Sequence, residues 1–133
     1  MSAERALLAA IRSALVGDAS VSAAVGARIY DDPPADAAFP YVTLGRIETR
    51  AADASGASAL EHAVTLHVWS RHGGRAEALS AVSAMRAALH NAALAPEGHR
   101  LTLLLTTFTD VFRSGDGRTT HGVVRLRAVT EPQ

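Results

Sequence analysis

The sharpest alternation of apolar and polar positions lies between Leu60 and Ser70. Leu60, Val64, Leu66 and Val68 share one parity, and Glu61, Thr65, His67 and Trp69 share the other. A period of two marks a half-buried antiparallel strand, one face on a core and the other partly polar. Trp69 is the only tryptophan and sits on the less apolar face, so it either packs on a neighbouring element or meets another molecule.

Period shifts place the other elements around this strand. Ser2 is positioned to cap a helix whose Leu7, Leu8, Ile11 and Leu15 gather on one face before Gly17 stops it. Asp18 or Ser20 can cap a shorter turn with Val21 and Val25 one turn apart, ended by Gly26. Arg28-Ile29-Tyr30 reads as a short extended segment, and the prolines at 33, 34 and 40 make Asp31 to Pro40 a constrained loop. Tyr41 to Glu48 is rich in β-branched and aromatic residues and predicts a strand that pairs with the one at 60–70. The connection from Thr49 to Ala59 is almost wholly alanine, serine, glycine and aspartate, which predicts a mobile hairpin tip. After Gly73 and Gly74, the spacing of Leu79, Val82, Met85 and Leu89 predicts a core-facing helix ending near Ala93. Leu101, Leu103 and Leu105 on one parity, with Leu104, Phe108 and Phe112 on the other, predict a strand buried on both faces over part of its length. Ser114 to Gly117 is a turn, and the returning strand places Val124, Leu126 and Ala128 opposite Arg125 and Arg127.

The resulting order is ααββαββ with hairpin connections. The expected fold is α+β, an antiparallel sheet of about four strands with helices packed on one face. At 133 residues the chain forms one domain, 1–133, with a single core.

Composition narrows the function more than it names one. The hydrophobic share is 48%, but 28 residues are alanine and six are aromatic, so the core of large side chains is modest and would gain from assembly. All 13 basic residues are arginine, balanced by 13 acids. Nonspecific attraction to nucleic acid or an anionic membrane is therefore not expected. Without cysteine there is no disulfide, thiol nucleophile or thiolate metal site. No apolar run approaches ~18 residues, so no membrane span is expected, and a protein made in the cytoplasm is the simplest reading.

The chemistry-bearing residues are scattered. His62 and His67 lie five apart on a strand and point to opposite faces, so they cannot share a metal ion. His72, in Arg71-His72-Gly73-Gly74-Arg75, has no nucleophile-elbow sequence to serve. His90, His99 and His121 carry no spacing signal. Asp31-Asp32 in the proline loop reads as solvated acid, and Gly115-Asp116-Gly117 lacks the setting of a phosphate cradle. Arg125 and Arg127, side by side on one strand face, pair across the sheet or contact phosphate or a partner's carboxylates. The expectation is no enzyme, no cofactor and no metal.

Four stretches together resemble a known family. They are Leu7 to Gly26 with Arg28-Ile29-Tyr30-Asp31; Phe39-Pro40-Tyr41-Val42-Thr43-Leu44-Gly45; Val64 to Trp69 with Ser70-Arg71 and Gly74 to Ala78; and Asp116 to Val124 with Arg125 to Ala128. In this order and spacing the chain resembles the tail-completion, or tail-terminator, proteins of long-tailed phages and of phage-derived gene transfer agents.

The resemblance implies a structural subunit rather than a catalyst. Such subunits form a homohexameric ring on the head-proximal end of the tail tube, stop tube growth and meet the head–tail connector or stopper, while DNA passes through without sequence-specific contact. The expected partners are thus the chain itself, the tail tube protein and the connector, with no membrane. The expected location is the neck of a particle assembled in a bacterial host. Interface candidates are Trp69, Arg71 and Arg75, because tryptophan and arginine are enriched at binding hot spots. Asp53 and Ser55 join them as part of the 49–59 loop reaching an adjoining ring or tube, and Arg125 and Arg127 as residues facing the channel or a partner. The alternatives are another neck component, such as a head-completion or minor tail protein, and more distantly a ligand-binding or hydrolytic domain with a pocket lined by His67, His72 or Asp110.

Overall fold

In the computed structural model, residues 1–52 and 58–133 are described. Three helices, α1 (Ala3–Val16), α2 (Ala19–Val25) and α3 (Ala76–Leu89), accompany five strands. These are β1 (Ile29–Tyr30), β2 (Tyr41–Ala51), β3 (Leu60–Ser70), β4 (His99–Arg113) and β5 (Thr120–Pro132). The α+β class and the helices on one face agree with the sequence reading. The strand count rises to five because Ile29 and Tyr30 pair in parallel with Val42 and Thr43.

Local chemistry starts α1 and α2 where the sequence indicated. The Ser2 hydroxyl accepts from Arg5 N at 3.1 Å, and the Asp18 carboxylate accepts from Val21 N at 3.0 Å, each satisfying an otherwise orphaned N–H. Gly26 ends α2 at φ 61°, a left-handed conformation that costs a side-chain-free residue little.

The sheet order is β1-β2-β3-β5-β4, so β3 and β5 are central and β1 and β4 are the edges. β3 pairs without interruption to β5 from Leu60↔Thr130 to Ser70↔Thr120. α1 packs on β1 and β2, α3 packs on β3, β5 and β4, and α2 rests on α3. The core between the layers holds Leu7, Ile11, Leu15, Val42, Leu66, Met85 and Leu126, all essentially inaccessible. Each such burial contributes about 1.5–3 kcal/mol before the entropy of ordering is subtracted. Gly122 lets α3 come close to β5, since a Cβ there would lie 2.8 Å from Val82 Cγ2.

Three expectations are corrected. β2 runs on to Ala51, with Thr49, Arg50 and Ala51 opposite His62, Glu61 and Leu60, so the first three residues of the predicted loop are strand. Leu79 does not face the core: α3 buries Ala78, Ala81, Val82, Met85 and Leu89, and Leu79 is 51% exposed one position round the helix. β4 is bulged between Leu101 and Leu103 and again between Thr106 and Phe108, and each bulge flips the parity. Leu101 and Leu104 therefore join the core, whereas Leu103, Leu105, Phe108 and Phe112 turn to the other face. No single helix among the described residues is long and apolar enough to cross a membrane.

Candidate functional site

Because the helices occupy one side, the opposite face of the sheet is bare, and strand periodicity decides what it displays. Its two ends differ. Toward the C-terminal end of β3 the face is aromatic, with Tyr41 on β2, His67 and Trp69 on β3, His121 on β5 and Phe112 on β4. Trp69 stacks on His121 at 4.1 Å between ring centroids and 16° between planes, and its Nε1–H donates to Thr43 Oγ1 at 3.0 Å. His67 Nδ1 and His121 Nε2 are 2.8 Å apart, a bond in which one ring must accept and so must be neutral at that nitrogen. Burial lowers the pKa of both imidazoles; for His121 the nearby His67 lowers it further, and Asp110 partly offsets this. Gly45 makes room for the cluster, because a Cβ there would sit 2.6 Å from His67 Nε2 and 2.7 Å from the Thr65 carbonyl.

The other end of the face is charged. Arg127 pairs with Glu61 across the β3–β5 ladder, and this bond holds the Glu61 carboxyl below its usual pKa. Arg125 lies over the Phe108 ring at 4.8 Å. Arg46, Glu48 and Arg50 complete the wall of a shallow hollow between these strands. His62 belongs to the core side: fully buried, it bonds Thr49 Oγ1 at 2.9 Å and Thr130 Oγ1 at 2.8 Å, tying β2, β3 and β5 together. Burial lowers its pKa and so favours the neutral ring, partly offset by Glu4.

The predicted interface residues are thus dispersed. Trp69 is committed to an intramolecular stack. Arg71 is engaged as well, with its guanidinium 4.5 Å from the Phe39 ring centroid and Nε donating to Thr119 Oγ1 at 3.2 Å. Arg125 and Arg127 share the bare face, and Asp53 and Ser55 lie outside the described residues. Arg75 stands apart at the N-terminus of α3, in a groove between that helix and the edge strand β4. Among the alternatives, His67 and Asp110 line different depressions and His72 lines neither. Among the described residues, no three His, Asp or Glu side chains converge as metal ligands.

The β4 edge is a site that sequence reading missed. At Leu104 and Thr106 its outward backbone groups are satisfied, by Asn91 N–H and by His90 Nδ1 respectively. Beyond the second bulge the outward groups belong to Thr109, Val111 and Arg113. This follows because Ser114 N–H bonds the Thr119 carbonyl, and bonded pairs alternate back along an antiparallel ladder. Among the described residues nothing bonds them, and exposed Leu79, Phe108 and Phe112 flank the strip. The only sequence feature there was Leu79, which its spacing assigned to the core face of an alanine-rich helix and which is 51% exposed.

A family model described as "Tail completion protein gp17" matches residues 9–131. Among solved structures, a chain of "Virion of native gene transfer agent (GTA) particle" superposes with a TM-score of 0.91 at 29% sequence identity, covering 98% of this chain and 98% of that chain. None of the curated proteins matches.

Proposed function

This chain belongs to the family of tail completion protein gp17, and from that membership we propose that it is a structural subunit of a phage-like or gene-transfer-agent particle. It assembles as a hexameric ring that ends the tail tube and joins the tail to the head connector, with DNA passing through the ring. The observation that carries this reading is the near-complete mutual coverage with a chain of a gene transfer agent virion, which makes the whole fold, not a fragment, the shared unit. The molecule's own chemistry supports it. His62, His67 and His121 are used in packing, hydrogen-bonded to threonines or to each other, and on the bare face Arg127 is paired with Glu61. A modest core, flanked by an unfinished strand edge, suits a subunit completed by its neighbours.

In this reading the subunit is made in the bacterial cytoplasm and resides at the neck. Its partners are further copies of itself, the tube protein and the connector. The 49–59 loop, whose residues 53–57 lie outside the described residues, contacts an adjoining ring or tube, and the Arg46 to Arg127 hollow meets carboxylates of a partner.

The test is electron microscopy of particles produced without this chain. The expected result is tail tubes of uncontrolled length and heads without tails. Tubes of normal length beside unjoined heads would instead assign the chain to head completion, and normal joined particles would remove it from the neck.

A further inference from the structure

The two edges of the sheet are unlike, and their difference specifies how copies meet. One edge is β1, whose Ile29 carbonyl is already bonded by Arg12 Nε at 3.0 Å. The loop between Tyr30 and Tyr41 leaves from that edge strand. It carries Asp31, Asp32 and Asp36, all exposed, and none joins either of the ion pairs found among the described residues. The other edge, four strand spacings or roughly 19 Å away, is the open half of β4. There the unbonded backbone groups of Thr109 and Val111 open onto a groove whose α3 wall presents Arg75, Leu79 and Arg86. Both arginines are exposed and make no side-chain hydrogen bond among the described residues. Asp110 also borders this groove, although its register with Val123 assigns its side chain to the bare face, so the two arginines outnumber the one carboxylate there.

We propose that a second copy of this chain docks here head to tail. Its Asp31–Asp36 segment lies along the β4–α3 groove, the carboxylates on Arg75 and Arg86 and the proline-segment carbonyls on the open N–H groups. Leu79 is covered by the same contact. An acidic edge and a basic edge on opposite sides of one sheet make a heterologous contact, the kind that closes into a ring when the rotation per copy is right. A long unpaired strand edge is otherwise an aggregation hazard, and an orderly neighbour removes it. This inference rests on the ring reading above and names the surfaces that build the ring.

Two charge-reversed chains test it, one with D31R/D32R/D36R and one with R75E/R86E, assembled alone or on tail-tube protein and sized by light scattering. The expected result is that each alone keeps its melting temperature but assembles about tenfold or more weakly, whereas the two mixed in equal amounts form alternating rings like the unaltered chain. If the unaltered chain forms rings and both variants do so equally well, the edge-to-edge contact is wrong and the ring reading stands. If the unaltered chain forms no ring under either condition, both fall. A second measurement exploits the absence of native cysteine. Ala35→Cys with Ser83→Cys places one thiol on each surface, and oxidation of the assembled form should give a ladder of covalent multimers. Monomer alone would contradict the contact.

Discussion

The aromatic end of the bare face and the open half of β4 look alike in composition, both apolar and both uncovered by helices, yet only the first is finished. Trp69 has its stack, its hydrogen bond to Thr43 and a cleared space at Gly45. The β4 edge has exposed Leu79 beside backbone groups that have no partner among the described residues. What separates a packing residue from a docking residue is therefore the state of its polar neighbours. Hydrophobicity alone would have ranked tryptophan first.

The comparison can be broken most decisively at Trp69. Trp69→Ala removes the stack and strands the Thr43 hydroxyl, and should cost about 2–4 kcal/mol of stability. Denaturant unfolding checks it, together with assembly of the protein that remains folded, which should be unimpaired. A stable Trp69→Ala that fails to assemble would reverse the assignment. Gly45→Ala should cost about 1–3 kcal/mol, because His67 and the Thr65 carbonyl must both give way; an unchanged melt would show that the cluster is looser than its distances imply.

Acid should loosen the finished region next. His62, His67 and His121 all have folded pKa values lowered from 6.5, chiefly by burial. The unfolded chain therefore binds protons more readily, and stability rises with pH where that difference operates. Their contribution is complete above about pH 6.5 and is lost as pH falls from there toward the lowered folded values. The melting temperature should drop between about pH 7.5 and 5, and less steeply in His67→Gln/His121→Gln. A flat profile for the unaltered chain would contradict the burial of these rings. The smallest effect on stability belongs to the unfinished region: Leu79→Ser should lie within about 0.5 kcal/mol of the parent while weakening assembly measured by light scattering.

Much of this arrangement was legible in the chain because strands and capped helices obey local rules. The parities of β3 and β5, the caps at Ser2 and Asp18 and the turn at Gly115-Asp116-Gly117 depend on neighbours a few residues away. What escaped were facts about distant partners. The bulges at Thr102 and Thr107 reset the parity of β4, and sequence does not mark them; in the fold their hydroxyls donate to the Val129 and Arg125 carbonyls. The stripe of α3 could be drawn through Leu79 or through Ala78 and Ala81, since alanine carries little hydrophobic signal. Sequence leaves Trp69 open between packing and docking because its stacking partner His121 lies 52 residues away, just as Phe39 lies 32 residues from Arg71. Arg75, an interface candidate alongside them, does line the open groove.

The central claim is that this subunit is finished by copies of itself on a tail tube. The most direct measurement is the mass of the purified chain by light scattering over a range of concentrations, alone and then with tail tube protein. The account predicts a hexamer, or a monomer that becomes a ring-sized species on the tube and halts its growth. A monomer or dimer indifferent to tube protein would contradict it.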